Sequence, residues 1–229
     1  MTTQHRELLR KVSIFEGLGD REIDQLAALL VERSYSKDRV IVSHEEPGDS
    51  LFIIVDGRVK VVLYGESGRE IILSIFKEQD FFGEMSLLDH QPRSANVIAL
   101  EDARVLILKH DDFGDFLKKS PAAALNILAE MSRRLRKADE IISNLALLDV
   151  FGRVARVLLD LASEDGQEQE EGIEIKARPT QQEIANMAGT SRETVSRALS
   201  EFQKRGLIQA TGRSIVLYRA FLTQHEWKR

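Results

Sequence analysis

The spacing of apolar residues changes along the chain, and each change predicts a different kind of element. Behind Asp20, a candidate helix N-cap, Ile23, Leu26, Ala27 and Leu30 recur at three- and four-residue steps and predict a short amphipathic helix ending before Arg33. From Val40 the period shortens to two. Residues 40–42, 51–55, 59–64, 71–75, 95–99 and 105–108 read as strands, separated by turn signals at Pro47-Gly48, Asp56-Gly57 and Gly65-Glu66-Ser67-Gly68. Asp56-Gly57 has the composition of a two-residue hairpin. Many short strands at this spacing predict a small antiparallel β-roll of the barrel or jelly-roll type.

After residue 119 the pattern turns helical. Ser120-Pro121 is a cap followed by proline at the first helical position, and Leu128, Met131, Leu135, Ala138, Ile142 and Leu145 then alternate steps of three and four. That is a heptad seam, flanked by charged residues, on a rod of about 40 Å. It predicts a parallel two-stranded coiled coil and hence a homodimer, although a helix lying on its own domain's core would also use apolar residues. Asp149 caps a further helix over 150–161, which places a hinge at 147–149. The acidic stretch 163–172 reads as a solvated loop.

Thr180-Gln181-Gln182-Glu183 and Thr190-Ser191-Arg192-Glu193 both have capping-box spacing, and Gly189 lies between them. Helix, glycine turn, helix is a helix-turn-helix, with Ile184, Ala188, Val195, Leu199 and Phe202 as its small core. Apolar runs around 206–208 and 214–218, on either side of Thr211-Gly212-Arg213, predict a hairpin wing. The chain is thus α+β: an N-terminal β-roll sensor over 1–119, a dimerisation helix and hinge over 120–148, and a winged helix-turn-helix over 149–229.

Charge sharpens this division. The 229 residues carry a net charge of −5, yet residues 177–229 hold nine Arg or Lys against four Glu, a balance of +5, which leaves about −10 for the rest. A basic module joined to an acidic one suits double-stranded DNA as partner. Arg192, Glu193, Ser196 and Arg197 occupy the exposed N-terminal part of the second helix, where such helices enter the major groove. Arg can bond guanine bidentately and Glu can accept from cytosine. Glu193 is equally compatible with a capping role, and Arg197 with a solvated charge. There is no cysteine, so disulfides, thiolate zinc sites and iron–sulfur clusters are excluded. His5, His44, His90, His110 and His225 are too scattered to suggest a haem or a metal-dependent roll enzyme, and neither catalytic residues nor a metal site is expected. No apolar run is long enough for a membrane span and the N-terminus lacks a signal-peptide core, so a cytoplasmic protein is expected.

One stretch, 82–97, carries candidate small-molecule chemistry: Gly83, Glu84, Met85, Ser86, Arg93 and Ser94. Gly83 lets the backbone approach closely, so that neighbouring N–H groups can face a phosphate. Arg93 offers a planar fork to phosphate oxygens and Ser94 a hydroxyl. Glu84 accepts only, so its partner is a sugar hydroxyl or Arg93 itself. A plain strand–turn–strand with a surface Glu and Arg would contain the same residues.

From about residue 9 to residue 218 this arrangement resembles the CRP/FNR family of bacterial transcription regulators. The most specific matches are Phe82–Val97, similar to the family's phosphate-binding cassette for cyclic nucleotides, and Ser191-Arg192-Glu193-Thr194-Val195-Ser196-Arg197, similar to its recognition helix. The resemblance implies that Gly83, Arg93 and Ser94 hold a cyclic phosphate and Glu84 the ribose 2′-hydroxyl. It further implies that Arg192, Glu193 and Arg197 read a palindromic, TGTGA-like site, with Thr180 and Gln182 on phosphates and RNA polymerase as a further partner. In cAMP-responsive members a Thr-Ser pair on the dimer helix closes over the adenine, and the matching positions here are Ala138 and Asp139. Ala138 has no hydroxyl. Asp139 could accept from adenine, but a carboxylate suits the adjacent donors of guanine better, unless it merely pairs with Arg136. Glu84, Arg93 and Ser94 are the residues a mononucleotide needs, so the expected effector is cAMP; the alternatives are the same architecture responding to cGMP or cyclic di-GMP, or a ligand-independent DNA-binding regulator.

Overall fold

The computed structural model describes residues 3–224, so His225 and the basic residues Lys228 and Arg229 lie outside them. The chain forms two compact units, Met1–Arg136 and Lys137–Arg229, which divide inside a single long helix.

The first unit opens with helices α1 (Thr3–Leu9) and α2 (Asp20–Leu29) around a 3-10 turn at Ser13–Phe15. Eight strands follow: β1 (Val31–Tyr35), β2 (Val40–Val42), β3 (Ser50–Asp56), β4 (Val59–Tyr64), β5 (Glu70–Phe76), β6 (Phe81–Phe82), β7 (Asn96–Ala99) and β8 (Ala103–Lys109). Helix α3 (Glu84–Asp89) interrupts them, and α4 (His110–Lys119) and the start of α5 (Pro121–Leu147) complete the unit. The strands pair antiparallel in two sheets of order β1-β8-β3-β6 and β2-β7-β4-β5.

Period-two patterning explains why β3 and β8 are central. Leu51, Ile53 and Val55, with Leu106 and Leu108, face one core shared with α1, α2, α4 and Ala123 and Ile127 of α5. Phe52 and Ile54, with Val105 and Ile107, face the other core against Val59, Val97 and Ala99 of the second sheet. Both faces are buried, so these strands read as continuous apolar runs.

Several sequence expectations are corrected here. Helix α2 stops at Leu29, and residues 31–35 form an edge strand whose largely exposed, charged side chains give no apolar alternation. Asp20 is the first helical residue; Gly19 is the cap, and its N–H donates to Glu22 Oε2 at 3.0 Å. Asp56-Gly57 is not a hairpin, because β3 and β4 belong to different sheets. Gly57 sits at φ +85°, and a Cβ there would lie 2.5 Å from the Asp102 carbonyl oxygen, so the glycine serves a corner between sheets. The turn at residues 65–68 does close a hairpin, with Gly65 N–H donating to Arg69 O at 2.9 Å.

In the second unit α5 ends and α6 (Val150–Asp165) begins behind Asp149, whose Oδ1 accepts from the Gly152 N–H at 2.7 Å. Then come β9 (Gln167–Gln169), β10 (Gly172–Ile175), α7 (Gln181–Ala188), α8 (Arg192–Lys204), β11 (Ile208–Thr211), β12 (Ser214–Tyr218) and α9 (Arg219–Leu222). The sheet order is β11-β12-β10-β9. The expected loop at 163–172 instead contains the last turn of α6 and the exposed strand β9, which has no apolar residue to announce it. Ile184, Ala188, Val195, Leu199 and Phe202 are all buried in this unit's core.

Candidate effector cassette and nucleic-acid interface

The stretch 82–97 is built from three elements that only the fold brings together. Strand β6 places Gly83 at φ +89°, the N-cap of α3, and a Cβ there would lie 2.7 Å from Arg93 Nη1 and 2.8 Å from the Ser50 carbonyl oxygen. Gly48 is equally confined: its Cβ would meet Ser86 Cβ at 2.4 Å and Arg93 Cζ at 2.9 Å. Arg93 is only 6% exposed. Its Nη1 donates to Gly83 O at 2.8 Å, its Nη2 to Ser50 O at 2.9 Å, and its guanidinium lies 5.7 Å from the centroid of the Phe52 ring. Burial pulls its pKa down, opposed by the carboxylates of Asp49 and Glu84, and an Arg remains charged under any such shift. Two of five donors are occupied by carbonyls, and the others suit an anion.

Glu84 is 2% exposed. Its partner is not Arg93 but Arg134 of α5, whose Nη1 lies 3.0 Å from Oε1. Arg134 is held from every side: Nε donates to Glu130 Oε1 at 3.0 Å, Nη2 donates to Phe81 O at 2.8 Å, and the rings of Phe76 and Phe81 lie 4.8 and 4.5 Å from its Cζ. The second carboxylate oxygen, Oε2 of Glu84, is buried with no hydrogen-bond partner. Burial pushes the Glu84 carboxyl above its ordinary value, against the pull of Arg134, and also raises that of nearby Asp80. A buried acceptor without a donor is costly unless a ligand supplies one. A ribose hydroxyl would do so, and a phosphate would meet Arg93 and the first-turn N–H groups of α3. The cassette therefore fits a sugar phosphate.

The remaining cassette residues are peripheral to this pair. Ser86 is buried, Met85 is 48% exposed, and the Ser94 hydroxyl is 3.7 Å from Met85 Sδ. Ala138 and Asp139 are exposed on α5 and belong to the second compact unit. Gly48, Ser50 and Arg134 went unrecognised in the sequence because their roles depend on approach across 43 and 50 residues of chain.

The helix-turn-helix rests on local bonds. Thr180 caps α7 with a capping box: its N–H donates to Glu183 Oε2 at 2.7 Å and its Oγ1 accepts from Glu183 N–H at 3.2 Å. Gly189 ends that helix in the left-handed region at φ 61°. The second expected capping box is off by one residue. Ser191, not Thr190, caps α8, accepting from the Thr194 N–H at 3.3 Å, so Glu193 is free of that duty and stands exposed in the first turn. Its own backbone N–H, and Ser191 after it, hold its carboxyl below the usual range. Arg192, Glu193, Ser196 and Arg197 share the exposed face of α8, and Arg197 Nη2 donates to Thr194 Oγ1 at 3.2 Å. The hydroxyls of Thr180 and Ser191 are engaged as caps, and Gln182 Nε2 donates to Asn186 Oδ1 at 2.9 Å. Among the described residues no group of three His, Asp or Glu could hold a metal ion, and no helix is long and apolar enough to cross a membrane.

Comparison with known proteins agrees with this geometry. Residues 32–120 match the cyclic nucleotide-binding domain model, and residues 152–224 the Crp-like helix-turn-helix domain model. A CRP-like cAMP-activated global transcriptional regulator of Mycobacterium tuberculosis is 33% identical over 92% of this chain and 94% of its own length. The cAMP-activated global transcriptional regulator CRP of Escherichia coli is 38% identical over 80% of this chain and 88% of its own. Among solved structures, the c-di-GMP responsive global regulator CLP of Xanthomonas campestris is 26% identical, with a TM-score of 0.76 over 87% of this chain and 99% of that one.

Proposed function

Because the chain belongs to the CRP/FNR family, a family of transcription regulators and not of enzymes, we propose that it is a homodimeric, cyclic-nucleotide-gated regulator that binds a palindromic operator. The cyclic-nucleotide-binding and helix-turn-helix modules establish the coarser statement, a DNA-binding regulator that responds to a cyclic nucleotide. The observation that carries the effector assignment is the buried, unpartnered Oε2 of Glu84 in the same cassette as buried Arg93. On this reading Gly83, Arg93, Ser94 and the N–H groups of Met85 and Ser86 hold the phosphate, Glu84 the ribose hydroxyl, and Ala138 and Asp139 meet the base. Two curated relatives are named as cAMP-activated, which favours cAMP; a structural relative is named as c-di-GMP responsive, and Asp139 keeps a guanine effector as the second reading.

Self-association is supported by the seam on α5. Of its six residues Met131 is half-buried against the first unit's core, whereas Leu128, Leu135, Ile142 and Leu145 are 52–64% exposed at heptad spacing and Ala138 is exposed, a stripe that a second copy of the same helix would cover. Two recognition helices would then stand about 34 Å apart, one turn of DNA, and Arg192, Glu193, Ser196 and Arg197 would read each half-site. Thr180, Gln182 and Ser191 would contact phosphate. The cytoplasm and RNA polymerase complete the reading as location and partner. Calorimetric titration with cAMP, cGMP and cyclic di-GMP tests it: one of them binds with one site per chain, and Arg93→Ala abolishes that binding. No binding of any of the three to the wild-type protein would overturn the effector assignment.

A further inference from the structure

The donors of Arg134 are divided among three acceptors. Nε donates to Glu130 Oε1 at 3.0 Å, Nη1 to Glu84 Oε1 at 3.0 Å and Nη2 to the Phe81 carbonyl at 2.8 Å. The rings of Phe76 and Phe81 confine the same group, with its Cζ 4.8 and 4.5 Å from their centroids. An arginine beside a carboxylate commonly grips both oxygens with two parallel bonds. Here Glu130 and the Phe81 carbonyl occupy the donors that a second bond would use, so Glu84 is held by one oxygen only. Its Oε2 stays buried without a partner.

Glu130 is itself fixed in place. Arg133 donates to its Oε2 from Nε at 2.9 Å and from Nη2 at 2.6 Å, which leaves Oε1 for Arg134. Burial raises the Glu130 carboxyl, but the bonds from Arg133 and Arg134 outweigh it and hold the group below the usual carboxylate range, as an anion. Glu and Arg three or four residues apart on a helix are ordinary pairs that contribute little when exposed. This pair differs in its surroundings: Glu130 is 18% and Arg134 25% exposed, and both lie with Glu84 inside the first compact unit.

We propose that Glu130 is a positioning residue of the effector site: by holding Arg134 Nε it keeps the guanidinium on one oxygen of Glu84 and reserves the other for a ribose hydroxyl. Glu130 touches no ligand and acts through Arg134. Without it the guanidinium is free to turn a second donor toward Glu84 and close on Oε2, which removes the acceptor that the sugar needs. This rests on the reading of Glu84 as the ribose-binding carboxylate.

The test compares cAMP with 2′-deoxy-cAMP, which lacks the hydroxyl in question. Both are titrated by calorimetry into the full-length protein and its variants, and thermal melting checks the fold. The wild type should prefer cAMP by about tenfold or more, the worth of a hydrogen bond to a charged acceptor. Glu130→Ala should lower cAMP affinity by about tenfold and leave 2′-deoxy-cAMP within about twofold, so that the preference largely disappears. Glu130→Gln, whose amide oxygen still accepts from Arg134 Nε, should restore it. Equal weakening of both nucleotides would show a merely structural role and overturn the proposal, as would an unchanged preference in Glu130→Ala or a Gln variant that behaves like the Ala one. Should Glu130→Ala fail to melt cooperatively, the exposed Arg133 supplies the second variant. Arg133→Ala releases Glu130 Oε2 and should narrow the preference in the same direction, and an unchanged preference there would also overturn the proposal. A wild type that binds the two nucleotides equally, or binds neither, would show a different failure: the ribose reading of Glu84 would fall, and this role for Glu130 with it.

Discussion

The two functional regions use charge in opposite ways. In the cassette the charged groups are hidden, Glu84 at 2% and Arg93 at 6% exposure, and each is held by bonds to distant parts of the chain. On α8 the charged groups stand in solvent, and the bonds that position them span three residues. A buried charge is tolerable only with well-placed partners, so a cassette of this kind can select a small ligand that completes the set. An exposed basic face suits a large, uniform polyanion, where the phosphate backbone supplies affinity and a few side chains supply sequence preference.

If this contrast is right, the largest effects should come from crowding the cassette. Gly83→Ala places a methyl group against the Ser50 carbonyl oxygen in a left-handed conformation, which no rotamer change can relieve. Nucleotide binding measured by calorimetry should fall by about 100-fold or more, equivalent to about 3 kcal/mol, while non-specific DNA binding persists.

Glu84→Gln sharpens the same side of the comparison. Loss of the charged acceptor should cost about 1.5–3 kcal/mol of nucleotide affinity. It also has a pH signature. The folded carboxyl titrates above its unfolded value, so its stabilising contribution is fully present below the unfolded pKa and is lost as pH rises through the folded one. Urea denaturation should therefore show the wild type losing stability relative to Glu84→Gln between acidic and neutral pH. An unchanged difference would mean that Arg134 compensates the burial completely.

On the exposed side the effects should be smaller and should depend on sequence. Arg192→Ala should cost about 1–3 kcal/mol at one guanine of the half-site, measured by binding to operators varied one base at a time. Equal loss on every sequence would place Arg192 on phosphate instead. The smallest effect is expected for Thr180→Ala, which removes the N-cap of α7 and should lower stability by about 1 kcal/mol. A much larger loss would show that the helix-turn-helix depends on distant contacts as the cassette does.

Much of this molecule is legible in its sequence, and the division follows the distance over which residues act. Alternating and helical periods, the Asp149 and Thr180 caps and the Gly189 turn are local physics, and they sufficed for the β-roll, the long helix and the helix-turn-helix with its core. The resemblance of residues 82–97 and 191–197 to known motifs supplied the candidate residues themselves. Tertiary structure decided the rest. Gly57 reads as a hairpin glycine until the strands on either side join different sheets. Glu84 finds Arg134 across 50 residues of chain, and Lys137 finds Asp160 across 23. Periodicity and capping report only a residue's neighbours along the chain, whereas these partners are chosen by how helices and sheets pack, a property of the whole fold that no local pattern encodes.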